Sequence, residues 1–252
     1  MNDPHAMPMA SEAWQQLIRQ GARDMGLYLT DPQLRMFAAH ATELYRWNKK
    51  INLTAISEPA SAAVKHFLDA IAPAGLIPDR GHLLDIGTGG GFPGIPLKIV
   101  KPGLSVTLVD AAAKKINFTR QVIRLLGLTG ITAHHCRLTP SERPPYFIAG
   151  FDTVICRAFT SISNFVCTAA DFIPEAGRLI AMKGGDCAEE LTDLQRLELQ
   201  APDGRMTPAA ELFTVDVQPY RLYHLKNERT LVVLTKQATA SIRNKSEYQI
   251  FQ

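Results

Sequence analysis

Over the first seventy-odd residues, apolar positions recur at helical spacing. Ser11 can cap a helix whose apolar positions are Trp14, Leu17, Ile18 and Met25. Asp31-Pro32 reads as a cap followed by proline in the first helical turn, and the stripe after it runs Leu34, Phe37, Ala38, Ala41, Leu44 and Tyr45. A third helix is predicted from Ser57, carrying Val64, Phe67, Leu68 and Ile71, until Pro73 and Pro78 break the pattern. Beyond that point short apolar runs alternate with helical segments. Strands are predicted at His82–Ile86, Ser105–Val109, Ile131–His135, Phe151–Ile155, Arg178–Met182, Leu212–Gln218 and Thr230–Thr235. Helices are predicted near Ile95–Val100, Ala112–Leu126, Ser161–Phe172 and Ala188–Leu199. This alternation implies an α/β fold: a mostly parallel sheet with helices on both faces. The last two strands lack a long helix between them and suggest an antiparallel hairpin at the sheet edge. The expected organisation is a helical extension over 1–75, an α/β domain over 76–237 and a polar tail over 238–252.

The densest chemistry lies where the first of these strands ends. Asp85-Ile86-Gly87-Thr88-Gly89-Gly90-Gly91-Phe92-Pro93-Gly94 links that strand to a helix. Glycines there let the backbone turn tightly and approach a ligand, and open parallel sheets bind ligands at the carboxyl ends of their strands. Two ligand classes fit. Gly89-x-Gly91-x-x-Gly94, with Asp110 beyond it to hold a ribose, matches a dinucleotide fingerprint. Asp85-x-Gly87-x-Gly89-x-Gly91 equally reads as the acidic-glycine loop of methyltransferases, in which Asp85 orders the loop and Asp110 accepts hydrogen bonds from both ribose hydroxyls of an adenosine.

Composition narrows the class only a little. The chain has 252 residues, 46% hydrophobic and 20% charged, enough for one sizeable core. No apolar run approaches a membrane-spanning length, and the N-terminus does not read as a secretory signal. Cys136, Cys156, Cys167 and Cys187 form no CxxC pair and have no histidine at metal-ligand spacing, so buried thiols, a reducing cytoplasmic setting and no metal are expected. The net charge of +3 is slight, but Lys98, Lys101, Lys114, Lys115, Arg120 and Arg124 face only Asp110 across one stretch. A second basic stretch runs from Arg221 to the end. Both suit a polyanionic partner, and both equally suit solvated helix and tail surfaces.

The two readings of the loop separate once its surroundings are included. Trp47-Asn48-Lys49-Lys50-Ile51-Asn52-Leu53-Thr54, then His66-Phe67-Leu68-Asp69, then the glycine loop continuing into Ile95-Pro96-Leu97 follow in order. Leu108-Val109-Asp110 with Lys114-Lys115, then Phe151-Asp152-x-Val154-Ile155-Cys156-Arg157-Ala158, then Met182-Lys183-Gly184 come after them. This succession, covering roughly Leu34 to Lys236, resembles the bacterial small-subunit (16S) ribosomal RNA guanine-N7 methyltransferases. The resemblance implies a Rossmann-like fold, S-adenosylmethionine as cofactor and 16S rRNA or the small subunit as partner, with a monomer sufficient. It maps cofactor contacts onto Gly87 and Phe92, Asp110, the pair Leu138-Thr139 and Arg157, and Asp85, Gly89 and Gly91 of the same loop are expected to bind the cofactor with them. Thr139 departs from the family, which usually has an acidic residue there, after the arginine matched by Arg137. The long N-terminus departs too, since family members usually start closer to Gln33.

Single residues carry rival readings. Arg157 ends a buried strand, where an unpaired arginine is costly; it is expected to serve catalysis and cofactor binding, or else to pair with Asp152 or Asp85. Lys183, Asn52 and His66 are candidates for substrate contact, although a lone lysine is ordinarily a surface group and a helical histidine ordinarily a satisfied structural one. Trp47 reads as core rather than as a base-stacking platform. Guanine N7 carries a lone pair and no proton, so no general base is required, and positioning supplies the rate. No Asn-Pro-Pro-aromatic motif marks an exocyclic-amine enzyme, and no cysteine adjoins proline as a cytosine-C5 nucleophile would. The rival functions are a methyltransferase acting on another RNA, a protein or a small molecule, an NAD-binding oxidoreductase, and an inactive RNA-binding relative.

Overall fold

A computed structural model describes residues 7–139, 150–157, 160–200, 205–222 and 228–238. Helices α1 (Glu12–Asp24) and α2 (Asp31–Ile51) open the chain. A continuous helical stretch follows: α3 (Pro59–Ala62), a π-helical segment (Ala63–Leu68), α4 (Asp69–Ile71) and a 3-10 turn (Ala72–Leu76). Strands β1 (Gly81–Ile86), β2 (Leu104–Asp110) and β3 (Ile131–His135) are linked by α5 (Gly94–Val100) and α6 (Ala113–Leu125). Then come β4 (Thr153–Arg157), α7 (Ile162–Ala169), β5 (Arg178–Lys183) and α8 (Ala188–Gln195). Short strands β6 (Glu198–Gln200) and β7 (Met206–Pro208) pair with each other before α9 (Ala209–Leu212), β8 (Phe213–Tyr220) and β9 (Arg229–Lys236).

The main sheet has seven strands in the order β3-β2-β1-β4-β5-β9-β8. The first five are parallel; β9 runs antiparallel to β5, and β8 antiparallel to β9. The expected hairpin is therefore present, with β9 turned inward and β8 forming the edge. Neighbouring residues on each strand feed opposite faces, as a pleat requires. Leu83, Ile155, Ile180 and Val233 join the core beneath the N-terminal helices, while Leu84, Val154, Leu179 and Val232 join the core beneath α7 and α8. The strand order reverses at β1, with β2 on one side and β4 on the other, and such a switch point opens a crevice at the carboxyl ends of the strands.

The helical extension is held by packing and by caps. Ser11 caps α1 as expected, and Trp14 lies edge-on to Phe67 at 5.2 Å while donating from Nε1 to the Pro59 carbonyl. Two helix starts move by one residue. Thr30, not Asp31, caps α2, because Thr30 and Gln33 satisfy each other's backbone amides in a capping box; Asp31 is already helical. Glu58, not Ser57, caps α3, its carboxylate accepting from the amides of Ala60 and Ser61. Tyr45, expected on the buried stripe, is exposed. The β6–β7 pair and α9 were not anticipated; Leu199 had been read as the end of a helix. The basic stretch that begins within α5 is also less open than its sequence suggests. Lys98 is buried and donates to the carbonyls of Pro102 and Leu104, Lys101 pairs with Asp79, and Arg120 donates to the Ala133 carbonyl. The second basic stretch and the expected tail lie largely outside the described residues.

Candidate active site

The glycine loop is pinned from several sides. Asp85, fully buried in β1, accepts at Oδ2 from Thr88 Oγ1 (2.7 Å) and from the Gly94 amide (2.9 Å), and so orders the loop as expected. Its other oxygen, Oδ1, is buried with no hydrogen-bond partner among the described residues. Burial pushes the Asp85 carboxyl up to about 6, against the opposing pull of those two donors and of Arg157. The loop needs its glycines for distinct reasons. Gly87, Gly89 and Gly91 adopt positive φ (74°, 56° and 85°). At Gly94 a Cβ would stand 2.2 Å from Leu108 Cδ2, so packing of α5 on β2 forbids one.

A cavity of about 390 Å³ opens beside this loop, within the usual range for a small-molecule site. It is lined by Ile86 and Gly87 from the end of β1 and by Val109, Asp110 and Ala111 from the end of β2. Lys115 from α6 and the segment Cys136-Arg137-Leu138-Thr139 after β3 close its other walls. Asp110 accepts from the Gly89 amide at Oδ2 (2.9 Å) and from the Ala112 amide at Oδ1 (2.8 Å), so both oxygens are oriented and each retains acceptor capacity. Lys115 Nζ stands 3.9 Å from Asp110 Oδ2. Of the residues singled out in the sequence, Gly87, Asp110, Leu138 and Thr139 thus meet at one cavity. Gly89 touches it through Asp110, and Asp85 and Gly91 act behind it.

The other candidates sit elsewhere. Phe92 is buried: its ring stacks with His40 (4.7 Å, 11°) and His66 (5.0 Å, 19°), and the Arg157 guanidinium lies over it at 5.1 Å. Arg157 does form an ion pair, but its partner is Asp69 (3.2 Å) rather than Asp152 or Asp85, and the same nitrogen faces the Lys65 and His66 carbonyls of the π-helical turn. Asp152 is engaged by the His82 amide instead. Asp69 also accepts from the Tyr220 hydroxyl at 2.7 Å, with Arg229 at 3.9 Å. One buried carboxylate on the helical extension therefore gathers β4, β8 and β9.

Lys183 is tied to Glu190 (2.7 Å) and to the Thr160 carbonyl (2.9 Å). Its ammonium closes α8 onto β5, which explains a lysine at the end of a buried strand without a substrate contact. His66 is buried, shares a hydrogen bond with Thr54 Oγ1 (2.8 Å), and burial, then Arg157 and His40, drive it down to about 3, which keeps it neutral. Asn52 is exposed in the left-handed conformation (φ 48°) that ends α2. The clasp of the Asn-Leu-Thr turn is made by Asn48, whose amide exchanges two hydrogen bonds with Thr54. Trp47 packs against Phe118 and donates to Glu43. All four thiols are pushed up by burial, and Cys136 alone lines the cavity.

Sequence reading missed three contributors: His40, Lys115 as a cavity wall, and Tyr220. His40 lies in phase with Phe37 and Leu44 on the buried stripe of α2, and a polar residue in that phase was the available signal. Tyr220 and Asp69 are 151 positions apart, and no local pattern links them.

A crevice at the switch point of this sheet, between a glycine loop and an acid at the end of β2, defines a Rossmann-like cofactor-binding protein. Solved structures with the same fold include a protein from Agrobacterium tumefaciens described as a predicted O-methyltransferase (TM-score 0.53, 17% identity, 68% of this chain and 82% of that one). Another is the precorrin-6y C5,15-methyltransferase of Geobacter metallireducens (TM-score 0.50, 12% identity, 68% and 88%). Sequence gives the family: residues 33–203 match the model of rRNA small subunit methyltransferase G, and the chain belongs to that family. The "Ribosomal RNA small subunit methyltransferase G" of Geobacter sp. (strain M21) is 45% identical over 176 residues, covering 70% of this chain and 80% of the relative. The protein of the same description from Geobacter sulfurreducens is 38% identical over 216 residues, covering 86% and 94%. The chain is accordingly an S-adenosylmethionine-dependent methyltransferase, which decides between the two readings of the glycine loop. No helix among the described residues is long and apolar enough to cross a membrane.

Proposed function

We propose that this protein transfers the methyl group of S-adenosylmethionine to N7 of a guanine in 16S ribosomal RNA, acting in the cytoplasm as a monomer on the small subunit. The family match over residues 33–203 carries this reading. The residues present suit the cofactor. Asp110 presents two backbone-oriented carboxylate oxygens at the cavity wall, the chemistry that a pair of ribose hydroxyls requires. Gly87 allows close backbone approach, Leu138 offers an apolar surface and Thr139 stands beside it. Thr139 occupies the family's usual acidic position at the cavity wall. When bound, S-adenosylmethionine supplies an electrophilic methyl group on sulfur.

The chain's own task is then positioning. Guanine N7 has no proton to remove, so no residue need act as a base, and holding nucleophile and methyl in line supplies much of the rate. Asp85 and Asp110 set the loop from behind and in front. We assign Arg157 a positioning role rather than a catalytic one: it braces Phe92, and thereby the loop, against the helical extension while pairing with Asp69. Lys183 holds α8, His66 braces the Asn-Leu-Thr turn through Thr54, and Asn52, exposed where α2 ends, is left open to RNA.

The test is incubation with methyl-labelled S-adenosylmethionine and small subunits lacking their native methylation, followed by nucleoside analysis. Label in 7-methylguanosine is the expected result. Label confined to protein or to another nucleoside would sink the proposal.

A further inference from the structure

We infer that His40 is a positioning residue of the cofactor loop, supplied by the helical extension rather than by the α/β domain. This rests on the function proposed above. His40 is fully buried on α2, and its Nε2 lies 2.8 Å from the Gly90 carbonyl. A carbonyl only accepts, so Nε2 carries the proton and donates. The ring also stacks on Phe92, two residues further along the same loop, and meets Phe67 edge-on at 5.3 Å. One side chain therefore holds the loop by a hydrogen bond at Gly90 and by a ring face at Phe92.

The position of Gly90 gives this contact its reach. The residue before it sends its amide to Asp110 Oδ2, and Asp110 lines the cavity. The Gly89 carbonyl faces Thr119 Oγ1 of α6 at 3.3 Å, so the two peptides that follow the cavity wall are fixed by α6 and α2 respectively. Leu44 of α2 lies against Gly90 closely enough that an added Cβ would meet it at 3.2 Å, which keeps helix and loop in direct contact. Loss of the His40 proton donor leaves the Gly90 carbonyl buried without its partner, and the peptide is free to rotate away from the register that aims Gly89 at Asp110. A histidine that merely filled the core would need neither the proton on Nε2 nor alignment with a loop carbonyl.

The experiment compares S-adenosylmethionine affinity, by calorimetry, in the full-length wild type, His40→Phe, His40→Gln and Ile18→Val. Phenylalanine keeps the ring and removes the donor. Glutamine restores a donor at the distance of Nε2. Ile18→Val trims the buried face of α1 and controls for a general loss of stability. The expected result is an affinity about tenfold weaker in His40→Phe, recovered in large part in His40→Gln and unchanged in Ile18→Val. Wild-type affinity in His40→Phe, or equal weakening in all three variants, overturns the inference alone. A wild type that takes up no S-adenosylmethionine overturns the proposed function and this inference with it.

Discussion

The two halves of the sheet's carboxyl edge look alike in sequence and differ in structure. On the β1–β2–β3 side, each strand ends in backbone or side chains that open onto a cavity: Gly87, Asp110 and Leu138. On the β4–β5 side, each strand ends in a cation, Arg157 or Lys183, and each cation is spent on a carboxylate of a neighbouring helix. A charged residue after a buried apolar strand suggests ligand binding equally well in either half. What separates them is the partner, which comes from a distant part of the chain. On the proposed function the open half receives the cofactor, while the closed half fastens helices to the sheet.

This contrast is easiest to break at Asp69. Asp69→Ala strands Arg157, Arg229 and the Tyr220 hydroxyl in a buried setting at once, so a loss of about 3–5 kcal/mol is expected in denaturant unfolding. A loss below 1 kcal/mol would show that the closed half is not held by this carboxylate.

Acidification gives an intermediate effect. His40 is driven down to about 4 by burial, and His66 to about 3. The folded state therefore binds fewer protons than the unfolded chain below the ordinary histidine value of 6.5, and stability falls as pH drops from 6.5 towards 4. Asp85 acts in the opposite sense: its folded value is raised to about 6 from 3.8, so it favours the fold as pH drops through the same range. Each group contributes at most about 1.4 kcal/mol per pH unit, so these three leave a loss worth roughly one proton, to which His134, also lowered by burial, adds in the same sense. Unfolding curves between pH 6.5 and 4.5 are expected to show that loss, and His40→Phe is expected to flatten it. A wild-type profile that is level or rises on acidification would contradict this assignment of protons.

Lys183→Met is expected to do least. The pair with Glu190 is partly exposed, so its loss costs at most about 1 kcal/mol, and affinity for S-adenosylmethionine stays at the wild-type value. A large loss of affinity would return Lys183 to the site.

The strands of the main sheet and most helices are legible because their apolar spacing is local: β3 falls where the spacing predicts it, and β1, β2, β5 and α6 lie within one residue of it. The cavity's main residues were legible because glycines and Asp110 mark a loop whose geometry few other sequences satisfy. Arg157 was seen as needing a partner, yet Asp69 lies 88 positions earlier, and a buried ion pair leaves no periodic trace. Lys183 and Lys98 read in sequence as available charge for the same reason, since their acceptors are a helix carboxylate and backbone carbonyls that only tertiary structure brings near. The π-helical turn was equally hidden: its sequence reads as ordinary helix, and Arg157 is seated against its carbonyls.

The division of the sheet edge is tested most directly by the affinity of Asp110→Ala for S-adenosylmethionine, measured by calorimetry beside its melting temperature. Loss of the carboxylate proposed to accept from both ribose hydroxyls is expected to weaken binding by about tenfold to a hundredfold. Binding at wild-type strength by a folded Asp110→Ala protein would mean that the cofactor does not lie in the β1–β2–β3 cavity.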